Sequence, residues 1–164
     1  AISKHLGPVY LRFGRPAVPV FTNEDQNFVI GKAIKLQEGS DITIIATGHL
    51  VWESLEAAKM LFKEGIKSEI LNIHTIKPLD ENAIISSAKK TNCVITAEEH
   101  NCFGGLGESV ARLLSESYPT AMKIIGTKDT FGESGKPNEL LEKYGLSSVA
   151  IYNEAKTLIN KKNI

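Results

Sequence analysis

The stretch ITIIATG at positions 42–48 decides the fold of this chain. Apolar and β-branched residues follow one another from 42 to 46, which is typical of a short strand buried on both faces of a parallel sheet. After Gly48, apolar residues return at helical spacing, at Val51, Leu55, Ala58 and Phe62. Gly65 then stands where a helix commonly ends. Strand, tight turn and helix in this order indicate an α/β unit.

The same alternation continues along the chain. Further strands are predicted at 66–73, 93–97 and 122–125, and further helices at 80–90, 107–117, 137–144 and 148–161. Short connections between such elements mean parallel strands joined by right-handed crossovers. The sequence therefore predicts a three-layer α/β/α domain around a sheet of about five strands.

The N-terminal part does not resemble the start of a domain. Alternating apolar residues at 9–13 predict a strand, but the PAVP run at 16–19 cannot continue a central strand because proline has no N–H to donate. Positions 22–27 are polar and linker-like. One strand without a local partner predicts that 1–27 is the tail strand of an upstream domain plus a linker. Residues 28–164 then form the α/β domain.

Composition and charge narrow the class of protein. Lys plus Arg and Asp plus Glu number 19 each, so no excess charge attracts nucleic acid or anionic lipid. The two cysteines, Cys93 and Cys102, fit a reduced intracellular protein, and no Cys/His spacing predicts a zinc site. No apolar run is long enough for a membrane span, and no secretory pattern is present. We therefore expect a cytoplasmic protein. The first residue is Ala1 rather than Met, which is typical of a fragment or a trimmed chain.

Nucleotide-binding motifs are incomplete. Gly105, Gly107 and Val110 miss the third glycine of the dinucleotide fingerprint, and Thr130 stands where a Walker A loop needs its first glycine. We interpret these glycines as turn and packing residues rather than as a phosphate cradle.

Among the histidines, His100 is the strongest candidate for a functional role. It lies just beyond the carboxyl end of a predicted parallel strand, where α/β folds place ligands and interfaces. His5, His49 and His74 are interpreted as structural or exposed.

Arg12 and Arg15 are the candidates for anion binding. They close the predicted N-terminal strand with Phe13 and Gly14 between them. A guanidinium at a strand end suits bidentate recognition of phosphate or carboxylate. Chemistry alone leaves this interpretation and that of two solvated arginines equally open.

Read in order, the motifs resemble the C-terminal part of the transketolase family. The matching runs are GPVYLRFGR at 7–15, IKPLD at 76–80, EEHN at 98–101, GGLG at 104–107, FGESG at 131–135 and ELLEKYG at 139–145. No single run is decisive, but their order and spacing cover nearly the whole chain.

The resemblance implies an architecture. Transketolase-like enzymes carry a diphosphate-binding, a pyrimidine-binding and a C-terminal α/β domain. Residues 1–20 then correspond to the last strand of the pyrimidine-binding domain. Residues 28–164 correspond to the C-terminal domain, in which one strand runs antiparallel to the rest.

The resemblance also implies chemistry. The family transfers a two-carbon ketol unit between sugar phosphates with thiamine diphosphate and Mg²⁺, bound between the subunits of a homodimer. Arg15 matches a ligand of the sugar phosphate, and Arg12 is a weaker candidate beside it. No catalytic, cofactor-binding or metal-binding residue is expected in this chain, and the fragment alone is expected to be inactive. Its role would be to pack against the remaining domains or an N-terminal subunit and to support the dimer. Glu98, His100 and Gly105 are candidate interface residues.

Three alternatives stay open. The chain also fits the C-terminal region of a 1-deoxyxylulose-5-phosphate synthase or of a 2-oxoacid dehydrogenase beta subunit, although the EEH and FGES runs favour transketolase. From a different class, it fits a non-catalytic interaction or dimerisation module.

Overall fold

A central sheet of five strands organises the molecule, and the computed structural model describes residues 1–162 of the chain. The strands are β1 (Ile34–Gln37), β2 (Ile42–Ala46), β3 (Ser68–Asn72), β4 (Cys93–Asn101) and β5 (Ala121–Thr127). The helices are α1 (Leu50–Lys63), α2 (Glu81–Thr91), α3 (Leu106–Ser117), α4 (Pro137–Lys143) and α5 (Ser148–Lys162). A 3₁₀ turn at Ile2–Lys4 precedes them.

The strand order is β1-β3-β2-β4-β5. β1 runs antiparallel to β3, and the other neighbouring strands are parallel. α1 and α5 cover one face of the sheet, while α2 and α3 cover the other. The predicted three-layer fold, with one antiparallel strand, is confirmed.

Two apolar cores lie on the two faces of the sheet. Because side chains alternate along a strand, Ile44 of β2 packs in the core shared with α1 and α5, and its neighbour Ile45 packs in the core shared with α2 and α3. Both side chains are fully buried. A strand covered on both faces explains why positions 42–46 are uniformly apolar or β-branched.

Two strands of the sheet differ clearly from the predicted elements. β1 is absent from the predicted elements, because four residues, two of them polar, give too short an alternation to stand out. β4 continues past Ala97 to Asn101, which pairs with Thr127 after an irregularity in the ladder. The longer β4 carries Glu98, Glu99 and His100 at the carboxyl edge of the sheet.

The strand predicted at 9–13 is not formed within residues 1–162. Positions 5–22 have no regular secondary structure, and every residue from 1 to 20 is exposed. A strand is stabilised by hydrogen bonds to a neighbouring strand, and this backbone has none beside it. Its assignment to an upstream domain stays a prediction.

Candidate functional site

A crevice of about 560 Å³ opens at the carboxyl edge of the sheet. It lies where the connections after β2 and β4 leave toward opposite faces, β2 into α1 and β4 into α3. Open α/β sheets bind ligands at such a switch point, because the diverging loops leave a gap between adjacent strand ends. His49 and Glu99 line the crevice, with Thr127 from β5 and the segment 16–19 from the N-terminal part.

His49 and Glu99 are paired across this switch point. The Thr47 N–H donates to the carbonyl of Ala97 at 3.1 Å, which holds the loop after β2 against β4. His49 follows as the residue before α1, and its Nδ1 lies 2.8 Å from Oε2 of Glu99. The His49 side chain is only 15% exposed. This contact therefore fixes a largely buried imidazole in the lining of the crevice.

The N-terminal segment docks on this pair. Nη2 of Arg12 donates to the main-chain carbonyl of Glu99 at 3.0 Å. Gly14 lies against the imidazole of His49 so closely that a Cβ on this residue would overlap the ring. Only glycine allows the backbone to come this near to a side chain. Arg12 and Gly14 therefore contact main-chain and side-chain atoms of the α/β domain.

The two arginines of the segment have different environments. Arg12 contacts Glu99, whereas the exposed guanidinium of Arg15 makes no ion pair or hydrogen bond to any residue in the range 1–162. The segment 16–19 then continues along the crevice. Arg15 therefore lies between the docked residues Arg12 and Gly14 and the lining of the crevice, and its unoccupied donors suit the binding of an anion.

Glu98 and Gly105 face each other inside the domain. The Glu98 side chain is 3% exposed, and its carboxylate accepts hydrogen bonds from the N–H groups of Leu106 and Gly107 at 2.8 and 2.7 Å. A negative charge at the N-terminus of α3 satisfies free donors and interacts favourably with the helix dipole. A Cβ on Gly105 would overlap this carboxylate. Both residues therefore hold the start of α3 in place.

Of the three candidate interface residues, His100 alone exposes its side chain. Its Nδ1 donates to the carbonyl of Asn101 at 2.7 Å and lies 3.9 Å from Oε2 of Glu98. The interface role of the three residues stays a prediction.

Sequence reasoning did not single out the pairing of His49 with Glu99. The two residues are fifty positions apart, and Glu99 was considered only as part of the EEHN run. The available signal was positional, since each residue follows the end of a predicted strand within three positions.

A second charged cluster lies near the amino end of β3, away from the crevice. Glu69 is fully buried and pairs with Lys90 of α2 and with Lys35 of β1, the latter at 3.5 Å. Burial lowers the pKa of Lys90, but hydrogen bonds to Glu69 and Glu38 together raise that pKa above its usual value. Hydrogen bonds from Lys35 and Lys90 lower the pKa of Glu38. The cluster links β1 and α2 to β3.

Neither a metal-binding cluster nor a membrane-spanning helix is found within residues 1–162. Across residues 1–162, no three His, Cys, Asp or Glu side chains are grouped so that they could hold a metal ion. In the same range, no helix combines the length and apolar character needed to cross a bilayer.

Comparison with known proteins agrees with the fold and with the order of the motifs. The family model for the transketolase C-terminal domain matches residues 31–151. The chain is 45% identical, over 99% of its length, to the 6-deoxy-6-sulfo-D-fructose transketolase subunit SqwH of Clostridium sp. (strain MSTE9), of which it spans 50%. It is 37% identical, over 90% of its length, to 1-deoxy-D-xylulose-5-phosphate synthase 1 of Geobacter sulfurreducens, of which it spans 24%.

A solved structure gives the same result. A split gene transketolase, described as an inactive beta4 tetramer, superposes with a TM-score of 0.84 at 42% identity over 87% of this chain and 47% of the solved one. The chain therefore belongs to the transketolase C-terminal domain family. It spans about half the length of the first transketolase subunit and of the solved chain.

Proposed function

We propose that this chain is the C-terminal part of a transketolase that transfers a two-carbon ketol unit between sugar phosphates with thiamine diphosphate. The observation that carries this proposal is the 45% identity along nearly the whole chain to a transketolase subunit. Arg15 directly precedes Pro16 of the crevice lining, and its guanidinium has no partner among the described residues, which supports a role in binding the sugar phosphate.

The proposal divides the work between this chain and the domains that precede it. In the transketolase family, the metal and the diphosphate of the cofactor are held by a domain that precedes the part spanned by this chain. We assign both to the upstream domains or to a separate N-terminal subunit, and we assign to this chain substrate-phosphate binding and support of a homodimer. By itself the chain is inactive.

A 1-deoxyxylulose-5-phosphate synthase remains a second candidate, because such a protein is 37% identical over 90% of this chain. The two functions differ in what they form. A transketolase transfers a two-carbon unit between sugar phosphates, whereas the synthase is named for the 1-deoxyxylulose 5-phosphate that it makes.

Calorimetry with thiamine diphosphate and Mg²⁺ tests the division of labour. The chain is titrated alone and then after mixing with the matching N-terminal portion, and ketol transfer is assayed in the mixture. We expect no binding heat from the chain alone, and both binding and transfer from the mixture. Binding by the chain alone would show that the cofactor site is misplaced. Formation of 1-deoxyxylulose 5-phosphate instead of ketol transfer would favour the synthase.

A further inference from the structure

We infer that His49 and Glu99 are positioning residues, which hold segment 12–15 where Arg15 binds the phosphate of the substrate. The inference rests on the proposed function and extends it to two residues of the C-terminal domain itself. Neither contacts the substrate in this scheme. Both act through the backbone that carries Arg15.

The contacts with the α/β domain fall on closely spaced residues of segment 12–15. Arg12 is held through its guanidinium by the carbonyl of Glu99, and Gly14 is held through its backbone by the ring of His49. The His49 ring is held in turn by the carboxylate of Glu99 at 2.8 Å. Glu99 thus contributes both its main chain and its side chain to the same short stretch.

Arg15 differs from Arg12 and Gly14 in its contacts with the α/β domain. Residues 16–19 line the crevice on the other side, so Arg15 stands between the docked residues Arg12 and Gly14 and the crevice. Its guanidinium has no partner within the described residues and is exposed. A side chain displaced by about 1 Å can lose most of its contribution to substrate binding. A phosphate site on this segment therefore needs other residues that hold the backbone of the segment in place.

The close approach to His49 requires glycine at position 14. A side chain there would push the segment away from His49. His49 and Gly14 are therefore two halves of one contact, and a change in either one displaces the same backbone. A role confined to the stability of the α/β domain would give no reason for the N-terminal segment to approach this ring so closely.

The test is a mutant cycle in the complete enzyme, assembled from this chain and its upstream portion. Turnover is measured with an aldose phosphate and with the same aldose lacking the phosphate. We expect His49→Ala and Glu99→Ala each to lower kcat/KM for the phosphorylated substrate by about five- to fifty-fold, the range for residues in contact, with little change for the other substrate. Gly14→Ala should give the same selective loss.

The cycle is completed in an Arg15→Ala background. If His49 acts through Arg15, then adding His49→Ala to Arg15→Ala causes no further loss. Glu99→Gln should keep most of the activity, because its amide oxygen still accepts from His49. Glu116→Ala, an exposed glutamate on α3, is the matched control and should behave as the wild type. Equal losses with both substrates, or full additivity with Arg15→Ala, would overturn the inference.

Hydrogen exchange separates the docking of the segment from catalysis. Amides at positions 9–15 should exchange faster in the His49→Ala enzyme than in the Glu116→Ala enzyme, and unchanged exchange would contradict the docking. A wild-type enzyme that transfers no ketol unit would instead refute the proposed function, and the role in substrate binding with it. The wild-type assay therefore distinguishes the two failures.

Discussion

The N-terminal segment, residues 1–33, and the α/β domain, residues 34–162, use similar apolar side chains in opposite ways. In the segment, Leu6 is 96% exposed, Tyr10 88% and Phe13 83%. In the domain, Ile44 and Leu61 are fully buried. What separates the two is the availability of a covering surface, since an apolar side chain is buried only where other elements pack against it. Apolar content alone therefore does not locate a core.

The two regions meet at several places within the described part of the chain. Besides the contacts of Arg12 and Gly14, the ring of Phe28 stacks on that of His74 with centroids 3.9 Å apart. Phe21 also packs against the core shared with α1 and α5. The comparison therefore predicts that stability resides in the domain, whereas substrate binding depends on the segment.

Ile44→Ala should give the largest effect. Removing this fully buried side chain from β2 is expected to lower the free energy of unfolding by about 2–5 kcal/mol, because it leaves a cavity in the core. Leu6→Ala, in the segment, should change it by at most about 0.5 kcal/mol. Urea denaturation of residues 1–164 measures both. Equal costs would show that the segment is packed as firmly as the domain.

Glu98→Ala should give the next largest loss within the domain. Two N–H groups at the start of α3 lose their acceptor in a buried place, which costs about 1–3 kcal/mol of unfolding free energy. Glu98→Gln keeps one acceptor oxygen and should cost less. Denaturation of both variants beside Glu116→Ala measures the difference, and a Glu98→Ala protein as stable as that control would refute the role of the carboxylate.

Arg15→Ala should reverse the contrast between the regions. In the complete enzyme, we expect binding of a phosphorylated substrate to weaken by about 1–3 kcal/mol, the scale of a charge-assisted hydrogen bond, with no measurable change in the stability of the domain. Arg112→Ala on α3 serves as a control arginine. An unchanged Michaelis constant for the phosphorylated substrate would remove Arg15 from the site.

His74 should give the smallest effect, visible only as a pH dependence. Burial lowers its pKa below the usual 6.5, and its Nε2 has no hydrogen-bond partner in the described structure. The unfolded chain then binds the proton more readily than the folded chain. This contribution to stability is fully present above the usual pKa and is lost as the pH falls through 6.5 toward the lowered value. Thermal unfolding between pH 5 and pH 8 should show a shallower acid-side decline for His74→Leu, and identical slopes would contradict the assignment.

Sequence patterns predicted the fold better than the site. Strands such as Ile42–Ala46 are buried on both faces, so their composition alone identifies them. β1 is too short for this, and its place beside β3 depends on tertiary pairing. Arg15 and Arg12 were singled out by their place at the end of a predicted strand, and the resemblance added a role in binding the sugar phosphate. The pairing of His49 with Glu99 was not predicted, because it is made by two chain segments that are distant in sequence.

The short first strand has a consequence for how this protein assembles. β1 forms one border of the sheet, has only four residues, and is irregular between Lys35 and Gln37. A short, bulged, lysine-bearing border is a poor template for another strand. Fibre-like growth through this border is therefore disfavoured, even when the protein is concentrated. At this border, association with other chains is expected to use side-chain surfaces, which can be selective in a way that main-chain hydrogen bonds cannot.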